Sequence, residues 1–421
     1  MTMAQLSQDC FASGAEILSV DDAVAAIVAR FSPVEGVETV ALSAADGRVL
    51  AEDLIATLQL PPFTNSAVDG YAVRGQDVPS GEVRAVNVVG RLQAGSAVAA
   101  PPVGPGEAIR IFTGAPMPEG ADTVFMQEDV RFDDAGRALL PAGLKRGANV
   151  RPAGEDIAAG GVVVPAGRWL RPQDVALAAA LGLTELKVRR RVRVAVFSNG
   201  DEIVEPGSAR RATQLFDSNR IMLVAMLRRI GCVVNDLGIR GDDSADIARV
   251  LTAAARDNDL ILSSGGVSTG EGDYVKAAVE NVGTLVFWRI AMKPGRPVAM
   301  GVIDGTPFIG LPGNPVASFV TFARVARPAL FALAGAAWLP PPAVPVRAQF
   351  LYRKKPARRE YVRVHLRRAE DGTLEAVKFP REGAGLLSSL VDTDGVVELP
   401  ESVTRVEPGQ LVSCFTYASL L

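Results

Sequence analysis

The residues of this sequence best suited to chemistry are glycine-rich turns beside carboxylates, together with two cations on a proline-stiffened turn. Four strings have the first character: Phe197-Ser198-Asn199-Gly200-Asp201-Glu202, Phe216-Asp217-Ser218-Asn219, Ser263-Ser264-Gly265-Gly266-Val267-Ser268-Thr269-Gly270, and Leu311-Pro312-Gly313-Asn314-Pro315. Glycine lets a backbone approach a ligand closely, and free amides at a helix start attract anions. Together the four read as a phosphate or carboxylate cradle; singly, each is equally a plain turn or a rigid helix start. No GxxxxGK string followed by Ser or Thr is present, so an ATP-hydrolysing P-loop is not supported. Asp201, Glu202, Asp242 and Asp273 fall near these turns. As a set they suit a magnesium ion, which takes oxygen ligands and bridges carboxylates to phosphate; one by one they fit solvated surface or helix caps.

Ala291-Met292-Lys293-Pro294-Gly295-Arg296-Pro297 holds two cations on a stiff turn. Fixed cations suit a small oxyanion, because charge-assisted hydrogen bonds are strong and a rigid turn lowers the ordering cost. A solvated basic turn fits the string equally. The stretch Pro61 to Arg74, PPFTNSAVDGYAVR, sets Thr64, Asn65, Ser66 and Asp69 beside Phe63 and Tyr71, the mixture a ligand-reading loop needs.

Cysteine and histidine usage removes other chemistries. Cys10, Cys232 and Cys414 are far apart and lack CxxC spacing, which argues against a disulfide framework or a thiolate zinc site and fits a reducing cytoplasm. His365 is the only histidine, which excludes HExxH sites, His-rich metal cages and most His-based triads. The formal charge of −3 gives no footprint for nucleic acid or anionic lipid, and the basic run Arg189 to Arg193 reads as a solvated entry to a strand. Residues 1–16 lack the pattern of a secretory signal, and Val316 to Ala334 is interrupted by Arg324, Arg327 and Pro328, so a soluble protein without a membrane span is expected.

The positioning elements follow from pattern. A chain of 421 residues, 48% hydrophobic, should form several cores, and 41 Gly with 28 Pro point to turns and strand-rich parts. Ser19 to Phe31 reads as a capped amphipathic helix. From Pro61 to Leu144 short β-prone runs predict a β-rich domain, with strands at Val83–Val89, Ala108–Phe112 and Asp122–Met126. A further helix starts near Pro172. Between Val192 and Gly335 strands and helices alternate: strands Val192–Phe197, Val233–Ile239 and Leu260–Ser263, helices Ser218–Ile230, Ser244–Asn258 and Asp273–Asn281. Such alternation builds a parallel sheet covered by helices, with ligands at the carboxyl ends of its strands. Leu339 to Pro345 reads as a linker, and the remaining strands, including Glu360–Leu366 and Val396–Leu399, as a small barrel or sandwich. The expected division is 17–60 with 146–190 as a discontinuous helical linker domain, 61–145 β-rich, 191–336 α/β, and 345–421 a C-terminal β-barrel.

The strings PPFTNSAVDGYAVR, IFTGAPMPEGAD, GEDI, FSNGDEI, LFDSN, SSGGVSTGEGDY, AMKPGRP and GLPGNP, in this order, resemble the MoeA-type molybdopterin molybdenumtransferases, the family that includes the C-terminal domain of gephyrin. The resemblance implies an elongated, four-domain subunit of α/β plus β class that forms homodimers, with its α/β domain binding molybdopterin. It implies insertion of molybdate into adenylylated molybdopterin with release of AMP and a need for Mg2+, the last step of molybdenum cofactor biosynthesis. Asp69 and Thr113 would reach the cleft of the partner subunit. Asp217, Ser218 and Asn219, the turn of Gly265, Gly266 and Ser268, Asp156, and Pro312, Gly313 and Asn314 would hold the nucleotide and pterin. Glu202, Asp242 and Asp273 would serve the metal or phosphates. Lys293 and Arg296, with Arg363 and Ser388, would receive molybdate; the catalytic set would be Asp69, Glu202, Asp242, Asp273 and Lys293. Molybdopterin adenylyltransferase and molybdoenzyme maturation proteins would be hand-over partners. The chain departs from the pattern at Arg289, lysine in some relatives, and at Gly383-Ala384-Gly385, which lacks a serine. Two rivals share these strings: a dimeric scaffold without turnover, and an adenylyltransferase built on a similar α/β domain.

Overall fold

The computed structural model describes residues 18–97, 100–267 and 274–421. Among these, three six-stranded sheets and several two-stranded ribbons carry the architecture. The helix Val20–Arg30 begins where the Ser19 hydroxyl accepts from the Asp22 amide and ends with Arg30 in its last turn, as dipole and capping rules require. Val20, Ala23 and Ile27, at helical spacing, are its buried face.

The α/β unit is organised by strand Arg193–Asn199. Successive side chains of a strand point to opposite faces. Val194 and Val196 accordingly enter one core with Leu223, Leu227 and Phe319, while Ala195 and Phe197 enter another with Ile247, Leu251 and Phe308. Burial on both faces explains the unbroken apolar run, and a fully buried Phe or Val contributes about 1.5–3 kcal/mol. The sheet runs Val233–Arg240, Arg193–Asn199, Leu260–Ser264, Thr306–Leu311, Pro297–Ile303, Gly283–Arg289. The first four strands are parallel, as alternation predicts. The last two are antiparallel additions. Their cause is local: Asp304 and Gly305 both have positive φ (48° and 82°), which makes the tight turn of a two-residue hairpin, leaving no room for a crossover helix. Asp-Gly is the usual sequence signal for that turn and accounts for a mixed rather than wholly parallel sheet.

The second sheet orders Thr123–Met126, Gly70–Val73, Glu107–Ile111, Arg84–Leu92, Ala138–Leu140 and Arg131–Phe132, the β-rich part expected between 61 and 145. Strand Asn65–Ser66 pairs with Val150–Arg151, so hydrogen bonds cross from this part to the stretch after 146. In the third sheet Arg359–Arg368, Leu374–Lys378, Val344–Ala348, Leu411–Thr416 and Gly395–Leu399 close on themselves through the pairing of the first with the last, making a five-stranded barrel. Its first strand also pairs in parallel with Met292–Lys293, so the cation turn of the α/β unit is hydrogen-bonded into the barrel sheet.

Pro315–Leu333 forms a continuous helical stretch of 19 residues, apolar enough by composition to cross a membrane, but 83% of it is buried inside the fold. Its middle, Phe322–Ala326, widens to π geometry before Pro328, which removes one backbone donor. Arg359 fastens the barrel to the N-terminal helix: its guanidinium donates to both Asp21 oxygens at 2.8 and 2.7 Å and to Glu401.

The run Arg189 to Arg193 is less solvated than the sequence suggests. Arg190 donates to both oxygens of buried Asp259 at 2.6 and 2.8 Å, and the Arg193 amide adds 2.8 Å, clamping the entries of two adjacent strands. Burial pushes the Asp259 carboxyl up, but these hydrogen bonds outweigh it and hold it below the usual range. A depressed folded-state value means that this stabilisation is present above the unfolded pKa of about 4 and is lost as pH falls through the folded value. Asp259→Asn should therefore cost about 3 kcal/mol at neutral pH. In chemical denaturation the gap to the unaltered chain should begin to narrow below about pH 4 and close as pH passes through the lower folded-state value, and a gap that does not narrow with falling pH would contradict the assignment.

Candidate functional site

Strand Arg193–Asn199 has Val233–Arg240 on one side and Leu260–Ser264 on the other, so the chain order reverses at Asn199 and Ser264. Such switch points leave a crevice at the carboxyl edge of the sheet. The glycine strings meet there. Gly265 (φ 89°) donates its amide to the Leu311 carbonyl at 3.0 Å, and a side-chain carbon at Gly265 would lie 2.8 Å from the Asn199 carbonyl oxygen. Gly266 (φ 67°) is as crowded, with Asn199 Oδ1 at 2.8 Å from the same hypothetical atom. Gly313 packs on Gly265. Asn219, at the start of helix Asn219–Arg229, donates through Nδ2 to Ser264 Oγ at 2.9 Å and to the Gly313 carbonyl at 2.7 Å. Among the described residues its Oδ1 and the Ser263 hydroxyl are buried without a partner and keep hydrogen-bonding capacity to spare.

Asn199 Nδ2 reaches 3.2 Å to Asp242 Oδ1, and the Asp242 amide donates to Asp201 Oδ1 at 3.2 Å. Glu202 curls back onto Gly200 and is exposed. These carboxylates offer the hard oxygen donors that magnesium takes. Among the described residues, however, no three acidic, histidine or cysteine side chains gather into a metal cluster. Asp273 and Ser268 lie outside the described residues.

Asp217 is engaged within the fold: it is buried and accepts from Ser198 Oγ at 3.1 Å and from Arg220 Nε at 2.9 Å, which holds the loop, and with Ser218 it lines a concavity beside Phe216 and Met222. Arg220, also buried, is shared with Asp236 and with Glu205 at 2.6 Å. Ser218 is exposed at the helix start. The LFDSN string is thus partly a fold device: the sequence showed its carboxylate but not the arginine one helical turn on that uses it.

A second concavity, of about 240 Å³, opens where the α/β unit meets the barrel. Pro312 and Asn314 are among its lining residues, and its charged and hydroxyl-bearing ones are Lys293, Tyr352, Glu360, Tyr361, Arg363, Lys378, Arg381 and Glu382. The Pro312-Gly313-Asn314 turn is therefore a wall shared with the glycine crevice. It is pinned by the Val316 amide, which donates to the Ala384 carbonyl at 2.9 Å. Arg363 Nη1 donates to the Gly383 carbonyl at 2.8 Å and to buried Ser389 Oγ at 2.7 Å. The hydroxyl beside Arg363 is therefore that of Ser389; Ser388 is exposed. Arg296 is exposed and does not line the cavity, whereas Lys378 and Arg381, which the sequence reading passed over, do. Their only signal was the basic spacing of Lys378-Phe379-Pro380-Arg381 after an alternating strand.

At the floor, Lys293 Nζ lies 3.4 Å from Glu360 Oε2 and 3.5 Å from the Tyr352 hydroxyl. That hydroxyl donates to Glu360 Oε2 at 2.7 Å, and Arg358 Nε donates to Oε1 at 2.6 Å. Burial raises the Glu360 carboxyl; the bonds from Tyr352 and Arg358 and the charges of Lys293 and Arg358 reverse this and hold it below the ordinary range. Both described thiols are pushed up to about 12 by burial, which leaves them un-ionised and poor nucleophiles.

Asp69 stands apart from both sites. Its Oδ1 accepts from the Thr113 amide at 2.8 Å and hydroxyl at 2.7 Å, and these bonds hold the exposed carboxyl low. No residue lining the 240 Å³ cavity comes from 61–145. Asp156 is exposed, with its amide bonded to the Leu60 carbonyl.

The profile of the MoeA N-terminal region (domain I and II) matches residues 18–182, that of a probable molybdopterin binding domain 195–332, and that of the MoeA C-terminal region (domain IV) 345–416. The chain belongs to the MoeA family. It is 36% identical over 407 residues to the molybdopterin molybdenumtransferase of Haemophilus influenzae, covering 96% of this chain and all of that one. It is 37% identical over 387 residues to molybdopterin molybdenumtransferase 2 of Mycobacterium tuberculosis, covering 88% and 93%. Its fold matches the crystal structure of the molybdopterin biosynthesis MoeA protein from Pyrococcus horikoshii OT3 with a TM-score of 0.80 at 28% identity, over 96% and 100% of the two chains. The MoeA fold accordingly includes the α/β unit, the β-rich part and the C-terminal barrel described above.

Two glycines separate backbone need from mere smallness. Gly265→Ala meets a backbone oxygen at positive φ and should lower stability by about 1–3 kcal/mol and weaken anion binding. Gly385→Ala places its methyl 3.6 Å from Asn314 Oδ1, an ordinary contact, and should change little. Thermal melts of the two variants check this; equal losses would contradict it.

Proposed function

We propose that this chain is a molybdopterin molybdenumtransferase, inserting molybdate into adenylylated molybdopterin with release of AMP as the last step of molybdenum cofactor biosynthesis. One observation carries the reading: the turn Pro312-Gly313-Asn314 separates a glycine crevice fit for a phosphate from a cation-lined cavity fit for an oxyanion. The relatives' names supply the reaction class.

The chemistry asks for two anions side by side. At 4 Å, two unit charges at an effective dielectric of 20 repel by about 4 kcal/mol, and a dianion doubles that. Lys293, Arg363, Lys378 and Arg381 offset the repulsion, while Gly265, Gly266 and the amide of Asn219 orient the nucleotide-pterin ligand. Magnesium, held by Glu202, Asp242 and Asp273, would neutralise phosphate charge. Molybdate is received at Lys293 and Arg363, while Arg296 and Ser388, the further oxyanion contacts that the resemblance implies, are exposed and do not line the cavity. Asp69 and Thr113 complete the cleft from the second subunit of a homodimer, and Asp156 belongs to the same outer ring of contacts. The protein acts in the cytoplasm and hands its product to molybdoenzyme maturation proteins, having received its substrate from an adenylyltransferase.

Purified protein given adenylylated molybdopterin, molybdate and magnesium should release AMP only when all three are present. Lys293→Met should raise the KM for molybdate about 10- to 100-fold, the worth of one charge-assisted contact. Asp273→Asn should abolish metal-dependent AMP release with ligand binding retained. Absence of AMP would favour a scaffold, and ATP-dependent formation of the adenylylated pterin an adenylyltransferase.

A further inference from the structure

We infer that Glu360 is a positioning residue for the oxyanion site: through Lys293 it fixes the ammonium that meets molybdate. This inference rests on the proposed function and adds a residue that touches no substrate.

Lysine is a poor choice for a fixed charge. Its four-carbon stem loses about 2 kcal/mol of rotamer entropy on being held, and half-exposed lysines ordinarily stay free. Lys293 is half-exposed, yet it is constrained from three directions. Its backbone is paired in parallel with the barrel strand at Glu360 itself. Its turn is pressed against the core helix at Gly295 (φ 109°), where an added side-chain carbon would fall 2.4 Å from Thr321 Oγ1. Its ammonium faces Glu360 Oε2 and the Tyr352 hydroxyl, as given above.

Glu360 is unusual in turn. It is 1% exposed, at the base of a cavity that should bind an anion, where a carboxylate opposes the ligand's charge. A carboxylate in that place is accounted for by what it holds. Arg358 occupies Oε1 and balances its charge, Tyr352 fixes the orientation of Oε2, and the remaining capacity of Oε2 points at Lys293. Pre-ordering one lysine lowers the ordering cost of oxyanion binding and leaves the pterin-nucleotide contacts across the Pro312-Gly313-Asn314 wall untouched.

The test is a double-mutant cycle read as binding of sodium molybdate to the full chain by calorimetry, together with the KM for each substrate. Glu360→Gln should raise the molybdate Kd by up to about 30-fold, the size of the ordering cost of one lysine, and leave the KM for adenylylated molybdopterin within about twofold. In a Lys293→Met background, Glu360→Gln should have no further effect on molybdate. Tyr352→Phe should shift molybdate binding in the same direction by less, and it carries the test should Glu360→Gln fail to fold. Molybdate binding as tight as or tighter than in the unaltered chain, or a full additive loss on top of Lys293→Met, overturns the inference. If the unaltered chain neither binds molybdate nor releases AMP, the functional reading falls and the inference with it. If it does both while the glutamine and phenylalanine variants match it, only the inference falls.

Discussion

The close approach of three backbones at Asn199, Gly265 and Gly313 is the contact on which the site depends. None of the three can back away: Asn199 ends a strand buried from Val194 onward, Gly265 donates its amide to Leu311, and the Gly313 carbonyl is bonded to Asn219. Glycine is needed at the second position because a backbone oxygen occupies the space of any side chain. Once this knot is tied, the Pro312–Asn314 turn has a single place to go. That place puts Asn314 against the barrel loop and Gly313 against the crevice.

Charge is handled differently on the two sides of the turn. On the crevice side, the buried guanidinium of Arg220 is met by Asp217, Asp236 and Glu205, so the acidic groups nearest the loop are spent on structure. Truncating a partner in such a buried cluster leaves an uncompensated charge and costs about 3–5 kcal/mol. On the cavity side, Arg363 is bonded only to neutral oxygens and its protonation is disfavoured by burial, while Lys378 faces exposed Glu382. Cations there keep capacity for a ligand.

Much of this was legible in the sequence where a single local rule suffices. The capped helix at Ser19, the doubly buried strand from Val192 and the Gly-rich turns each follow from spacing or residue type, and the structure has them. Legibility failed where the deciding partner is remote in sequence. Asp217 looked available, yet it pairs with Arg220, which Asp236 and Glu205 also hold. Ser389, not Ser388, turns inward, as the one buried residue of the short helix Ser388–Asp392. Lys378 and Arg381 join Lys293 only because a barrel strand carries them there. The antiparallel end of the central sheet was, by contrast, written in Asp304-Gly305 and left unread.

The pairing of Met292–Lys293 with Arg359–Glu360 splices the cation turn into the barrel sheet. The ammonium of Lys293 therefore sits where two units share one ladder, and Arg359, the neighbour of Glu360 in that ladder, ties it on to Asp21 of the N-terminal helix, so that three separate stretches of chain converge within two adjacent residues.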